Sequence, residues 1–209
     1  MTIEPTVTQV SAAGRLFGFT GTPTLVRFES GALWVFATVD DIEHDERDAR
    51  RVDPVLDLGL LAALSELPHR MPVPWTSLDE HTRTVLTDPP PGLIRRDSGM
   101  VERLVRRPVR VSGAFACGRW SAASRHVGPL GTLCEVGVLT PQRPRPSGNP
   151  VLEAAVYGQG LAWRSPDGDV HLVQRPERSL RVPGPYQWWM CEQVYAAVTA
   201  TTVTAPTTA

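Results

Sequence analysis

The residues most able to do chemistry in this chain are arginines that cluster between positions 95 and 110. Every one of the 21 Lys or Arg positions in the chain is Arg. Guanidinium groups are planar, permanently charged and suited to bidentate hydrogen bonds with carboxylates or phosphates. The cluster therefore predicts a partner- or anion-binding site, and its members are Arg95, Arg96, Arg103, Arg106, Arg107 and Arg110.

The chemistry of the partner is left open between two kinds of polyanion. An acidic protein surface would pair with the clustered guanidinium groups. A nucleic acid could use the same cluster together with Arg143 and Arg145, and Trp120 could stack on a base. A sequence pI near 6.5 is low for a dedicated nucleic-acid binder, so the acidic protein is favoured.

The absence of Lys excludes several reaction types. No side-chain Schiff base can form, no P-loop Lys can reach a phosphate, and no Lys can serve as a general base. Residues with AT-rich codons are rare as a group, with one Asn and three Ile, which favours the genome of a high-GC bacterium as the origin of this bias.

A second candidate set consists of aromatic residues and His. These residues could line a small-molecule pocket or form an interface, and they are Trp120, His126, Trp163, Trp188 and Trp189. In an enzyme, acid–base work would fall to His126, His171, Glu135 or Glu153, because Lys is unavailable. Adjacent helical residues point about 100° apart, so either Trp188 and Trp189 share a wide buried face or one of them reaches a partner.

The cysteines and acidic residues give weaker signals. Cys117, His126 and Cys134 could form a Cys–His pair or hold zinc, and Gly118-Arg119 would lower the pKa of Cys117. Their spacing is long, however, so buried structural thiols are favoured. The acidic run over residues 40–48 lacks the alternation of a calcium loop. The sequence therefore predicts no metal and no cofactor.

Two short motifs have structural interpretations. Asp97-Ser98-Gly99 has the signature of an aspartic protease loop, but no apolar run precedes it, so a helix cap is favoured. Gly14, Gly18 and Gly21 lack the spacing of a phosphate-binding loop.

The elements that must position these residues indicate an α+β fold. We expect a single domain with a mostly antiparallel mixed sheet and three to four packed helices. Strands are predicted at 25–29 and 32–37, joined at Ser30-Gly31, at 109–111, 114–116 and 133–139, and in a hairpin of 151–164 with 170–175. Helices are predicted at 53–67, 77–88, 97–107 and 186–198, a charged loop or exposed helix at 40–51, and a loop at 141–150.

The predicted organisation has three parts. Residues 1–12 are expected to be a flexible segment, residues 13–198 one domain with a sub-boundary at 89–91, and residues 199–209 a disordered tail. The charge changes sign near that sub-boundary, since residues 1–90 carry −7 and residues 91–209 carry +6. No signal peptide or membrane-spanning stretch is recognisable, and three cysteines favour a reducing compartment, so the predicted location is cytoplasmic.

These observations favour a non-enzymatic interaction protein. It would act as a regulatory accessory subunit of a cytoplasmic complex and dock through the arginine cluster. The alternatives are a small-molecule enzyme or ligand-binding domain with a pocket of Trp and His, and a nucleic-acid-binding protein.

Overall fold

The computed structural model describes residues 4–146, 148–177 and 184–203, with the backbone alone for 201–203. Its strands are β1 Thr22–Phe28, β2 Gly31–Val39, β3 Val73–Pro74, β4 Ile94–Asp97, β5 Met100–Arg103, β6 Val109–Cys117, β7 Glu135–Thr140, β8 Gly160–Arg164 and β9 Val170–Gln174. Its α-helices are α1 Val7–Phe17, α2 Asp41–Arg50, α3 Leu58–Ser65, α4 Glu80–Val85, α5 Trp120–Val127, α6 Asn149–Val156 and α7 Pro185–Val203. Short 3₁₀ helices lie at Trp75–Ser77 and Gly128–Thr132.

The chain divides into two compact units. Unit A comprises Met1–Thr38 and Val111–Arg181, and unit B comprises Val39–Arg110 and Val182–Ala209. The predicted sub-boundary at 89–91 lies inside unit B, between α4 and β4. The domain limits proposed from the sequence stay a prediction.

Unit A is built on a six-stranded mixed sheet with the order β1-β2-β6-β7-β8-β9. The hairpin of β1 and β2 is confirmed, and Gly31 has the φ of 134° that the turn needs. β6 pairs parallel with β7 and β7 pairs parallel with β8, whereas β8 and β9 form an antiparallel hairpin. Helices α5 and α6 provide the connections between the parallel strands.

Helix α1 covers an apolar face of this sheet. Val10 and Ala13 are fully buried, and Phe17 lies so close to Gly160 that a Cβ there would be 2.8 Å from its ring. The sequence predicted a flexible segment over residues 1–12, whereas the structure has a helix from Val7 onward. Although the start of the chain is polar and rich in Thr, the Thr6 side chain caps this helix by accepting a hydrogen bond from Gln9 N.

Unit B contains a three-stranded sheet of order β3-β5-β4 and a Leu-rich core shared with α3, α4 and α7. Leu61 and Leu64 of α3 and Leu86 after α4 are fully buried. Trp188 of α7 packs in the same cluster. The apolar residues Leu60, Leu61 and Leu64 of α3 are thus all part of this core.

The charged stretch 40–51 forms α2, but this helix is not simply exposed. Glu43 and Arg47 are 0 % exposed. The Arg47 guanidinium donates to Glu43 at 2.7 Å and to both carboxylate oxygens of Glu192 at 2.7 and 2.8 Å. Burial of a charged guanidinium is costly unless such partners compensate it, and this face of the helix therefore packs against protein and not water.

The predicted helix over 97–107 is wrong. Residues Ile94–Asp97 and Met100–Arg103 form an antiparallel hairpin around Ser98 and Gly99. The φ angles of Ser98 and Gly99 are 51° and 79°, the left-handed pair that suits a two-residue hairpin turn. Asp97-Ser98-Gly99 is therefore a turn, neither a helix cap nor a protease loop.

Other predicted boundaries move because local caps and turns decide them. Helix α3 begins after Asp57, whose side chain accepts from Leu60 N, and not at Asp53. Residues 149–156 are helix α6 and not part of a strand, although the hairpin that follows is confirmed as β8 and β9. Helix α5 was not predicted. Helix α7 extends past the predicted end to Val203, and residues 204–209 of the predicted tail lie outside the described residues.

The α+β class, with helices packed on a mixed sheet, is confirmed. In the part of the chain that the structure describes, no helix has the length and apolar character needed to cross a bilayer.

Candidate functional site

The six predicted arginines all lie within the unit B segment Val39–Arg110, but they do not form one free patch. Arg95 on β4 forms an ion pair with Glu102, which is opposite it on β5. Arg96 lies 3.5 Å above the ring of Trp75 and donates to the Thr87 carbonyl. Arg110 is exposed near the start of β6. These three residues do not line the cleft that the other three share.

Arg103, Arg106 and Arg107 line one cleft, which we call the arginine cleft. It has a volume of about 420 Å³ and is completed by Ser65, Gly184 and Trp188. Arg103 ends β5, and the other two arginines follow in the segment that leads to β6. Gly184 precedes α7, and Trp188 lies in its first turns. The cleft therefore combines a strand end, a loop and a helix start from distant parts of the sequence.

The contacts of Arg103 fix its side chain but leave donor capacity. Its Nη1 donates to the Leu64 carbonyl at 3.0 Å, and its guanidinium lies 4.9 Å from the centre of the Trp188 ring. Its Nε is buried and has no hydrogen-bond partner among the described residues. Burial lowers the pKa of Arg103, and the charge of Arg107 lowers it further. The site thus holds adjacent positive charge that an anion would stabilise.

The two neighbouring arginines differ in their partners. Arg106 forms an ion pair with Asp40 at 2.8 Å, while Arg107 donates to the side-chain oxygen of Gln187 at 2.9 Å. Within the described ranges, neither Arg103 nor Arg107 has an ion pair, and the residues outside those ranges include no Asp or Glu. Positive charge in this cleft is therefore only partly neutralised.

The predicted aromatic pocket is not assembled as one site. Trp120 is buried in α5, and its indole donates to Glu153 at 2.5 Å. The His126 ring lies next to Gly31, and Trp163 stacks on His171 with ring centres 4.5 Å apart. These side chains belong to unit A and take part in separate contacts.

Trp188 and Trp189 belong to α7 in unit B. Trp188 is 2 % exposed and donates to Glu192, while Trp189 packs partly buried against the same core cluster. The interpretation of a wide apolar face that covers both rings fits this arrangement best. Trp188 nevertheless also lines the arginine cleft, where the Arg103 guanidinium lies 4.9 Å from the centre of its ring.

Cys117 is not an activated nucleophile. Burial raises the pKa of its thiol to about 12, and the nearby charge of Arg164 only reduces this shift. The prediction that Gly118-Arg119 would lower the pKa is therefore wrong. Among residues 4–146, 148–177 and 184–203, no three His, Cys, Asp or Glu side chains come together as ligands for a metal ion.

A further cavity in unit A was missed by the sequence reasoning. It has a volume of about 320 Å³ and lies where β6, β7 and β8 end, at Cys117, Thr140 and Arg164. The signal that could have found it is the succession of strand, helix and strand over residues 109–164, which is typical of parallel pairing. The helices α5 and α6 were not recognised, so the common edge of these strands was not visible.

Comparisons with known proteins give no further guide. No protein-family model matches the chain, and neither a similar curated protein nor a similar solved structure was found.

Proposed function

We propose that this protein is a binding module that docks an acidic segment of a partner protein in the arginine cleft. One observation carries this proposal: Arg103, Arg106 and Arg107 line a single cleft, and no carboxylate is found among the described residues of its lining. A glutamate or aspartate side chain of a partner would supply the missing acceptor, and the planar guanidinium of Arg107 could bind it through two hydrogen bonds.

The charge of unit B favours a short acidic segment over a nucleic acid. Unit B contains 15 acidic residues and 11 arginines, a net charge of −4 with His neutral. A nucleic acid presents a long row of phosphates, and the net negative charge of unit B would repel those that extend beyond the cleft. One or two carboxylates can enter the cleft without meeting that repulsion.

The proposal is tested with a dye-labelled hexapeptide of glycine and serine that carries two adjacent glutamates, and with a control peptide in which both glutamates are glutamine, by fluorescence anisotropy at low salt. We expect Arg107→Gln to weaken binding of the glutamate peptide about tenfold, because a hydrogen bond to a charged group contributes roughly 1.5–3 kcal/mol. Among the described residues, the Arg107 side chain donates to Gln187 alone, so the variant should keep its fold. Arg110→Gln is the matched control, since Arg110 is exposed and outside the cleft.

Two results would contradict the proposal. One is equal affinity for the glutamate and glutamine peptides, and the other is an unchanged affinity in Arg107→Gln. Displacement of the peptide by a single-stranded oligonucleotide at lower concentration would favour nucleic-acid binding instead.

A further inference from the structure

The carboxyl ends of three neighbouring parallel strands meet at the unit A cavity. β6 ends at Cys117, β7 at Thr140 and β8 at Arg164, and the register places Cys117 beside Leu139 and Thr140 beside Trp163. Connecting loops leave the sheet at this edge, and open sheets with parallel strands commonly bind ligands just outside it. The position in the fold is thus one that suits ligand binding, and the residues of the lining decide which ligand fits.

The walls of the cavity are mainly apolar. At about 320 Å³ its volume lies in the range of small-molecule sites. The apolar lining comes from β1, β2, β7 and the segment before α1, through Leu25, Ala32, Trp34, Leu139, Pro5 and Pro141. Leu139 is buried and Trp34 is half-buried, so a ligand would rest on a firm apolar floor.

The polar groups of the lining are few and unequal in strength. The Thr140 hydroxyl donates to the Gln142 carbonyl at 2.8 Å, so it can offer a ligand only acceptor capacity. The Cys117 thiol is a weak donor at neutral pH, as its raised pKa requires. Among the described residues, Arg164 is the only cation of the lining, and the exposed Glu4 is the only carboxylate.

The Arg164 guanidinium is held in place from the start of α1. Its Nη1 donates to the Gln9 side-chain oxygen at 3.1 Å. The same oxygen accepts from Thr6 N in a capping box, and the Gln9 amide group donates to the Gly168 carbonyl at 3.0 Å. A cation that is fixed before binding loses less side-chain entropy when a ligand arrives.

We propose that the unit A cavity binds a small monocarboxylic acid with an aromatic or branched apolar body. The carboxylate lies at Arg164, and the body lies against Trp34 and Leu139. A dianion such as a phosphate ester fits poorly, because the described residues of the lining offer one cation, and a carboxylate, Glu4, shares that lining. Binding is non-covalent, since the adjacent thiol remains protonated. This site is independent of the arginine cleft and of the function proposed for it.

The test uses matched pairs of acid and amide, in which only the charge of the head group changes. The probes are phenylacetate, 3-phenylpropionate, isovalerate and their neutral amides, measured by titration calorimetry and by saturation-transfer NMR. We expect at least one acid to bind about tenfold or more tightly than its amide, in line with a charge-assisted hydrogen bond to Arg164.

Three variants locate the binding. Arg164→Gln should remove the preference for acid over amide. Ala32→Phe should abolish binding of both probes, because Ala32 is an exposed residue of the lining where a large ring blocks the cavity without disturbing the core. Arg175→Gln is the control, an exposed arginine of the same unit beyond β9, and should leave all affinities unchanged.

Each contrary outcome overturns the proposal. If no acid binds to the folded protein at concentrations up to about 10 mM, the site is rejected, because a specific site should have a dissociation constant below this concentration. An acid preference that survives in Arg164→Gln, or binding that survives in Ala32→Phe, places the ligand elsewhere. Circular dichroism and melting temperature confirm that each variant is folded before it is compared.

Discussion

Cys117 shows how the surroundings of a residue can reverse the chemistry suggested by its sequence. Gly118 and Arg119 follow it directly, which suggested a lowered thiol pKa. In the structure the side chain packs against the apolar cluster of Phe17, Phe115 and Leu139, and burial raises the pKa to about 12. The thiol therefore stays protonated at physiological pH.

This gives a prediction for Cys117 labelling. At pH 8, iodoacetamide should modify Cys117 at least about 100-fold more slowly than glutathione, because only the thiolate reacts and its fraction falls tenfold with each unit of pKa. Peptide mapping by mass spectrometry separates the partly buried Cys117 from Cys134 and Cys191, which are buried. The same protein in concentrated urea should lose the protection, and labelling of the folded protein at the glutathione rate would disprove the pKa argument.

At the scale of elements, one arginine joins α2 to α7 within unit B. Arg47 donates to Glu43 on its own helix, to both oxygens of Glu192 on α7 and to the Arg106 carbonyl. Glu192 also accepts from Trp188 and from Val55 N. Arg47 is the cation between two buried carboxylates. Its removal would leave Glu43 and Glu192 buried without the hydrogen bonds and the charge that Arg47 supplies.

We expect Arg47→Met to lower the free energy of unfolding by about 3–5 kcal/mol, the usual cost of breaking a buried ion pair from one side. Arg47→Lys keeps the charge but not the planar guanidinium that binds two acceptors at once. Its free energy of unfolding should therefore fall by less than that of Arg47→Met, but still measurably. Urea denaturation gives the values. Arg110→Met is the control and should change stability by no more than about 0.5 kcal/mol because Arg110 is exposed. A loss below about 1 kcal/mol in Arg47→Met would mean that the buried network does not stabilise unit B.

Elements were predictable from the sequence where a local pattern decides them. The two runs joined at Ser30-Gly31 predicted the hairpin of β1 and β2, and the run 186–198, which contains Trp188 and Trp189, predicted most of α7. The pattern failed at 97–107, because an apolar spacing compatible with a helix is also met by a short strand, and the left-handed turn at Ser98 and Gly99 settles the choice. For α2 a helix was one of the two predicted alternatives, but the burial of Glu43 and Arg47 was not predicted, since no local signal indicates their contact with α7.

Across the whole molecule, the sequence identified charged residues of a candidate site but did not predict which distant residues complete that site. Clustering in sequence identified Arg103, Arg106 and Arg107, but their common cleft depends on Trp188, about eighty positions away. The unit A cavity depends on parallel pairing of three strands that are separated by helices, and a single sequence does not specify such long-range pairing. Sequence spacing therefore finds charged groups more readily than the apolar walls that complete a site.

The titratable groups give the whole chain a characteristic dependence of stability on pH. Burial lowers the pKa of His69, and the charge of Arg103 adds to this, so the folded protein keeps His69 neutral below its ordinary pKa of 6.5 while the unfolded chain takes up a proton. Stability is therefore lost as the pH falls below about 6.5. Cys117 acts in the opposite direction. Its thiol ionises in the unfolded chain near 9.0 but in the folded protein only near 12, so stability is lost as the pH rises from about 9 toward 12.

We therefore expect a stability plateau between about pH 7 and pH 8.5, with a decline on either side, measured by urea denaturation at each pH. The alkaline decline should come from buried thiol and phenol groups such as Tyr195, whose pKa burial also raises, because the chain has no Lys to lose its charge and its arginine ion pairs persist. Cys117→Ala should reduce the alkaline slope and leave the acid slope unchanged, and His69→Asn should do the reverse. An alkaline slope that is the same in Cys117→Ala would show that the Cys117 thiol is not held protonated by the fold, and would also weaken the argument that ligands of the unit A cavity bind without covalent chemistry.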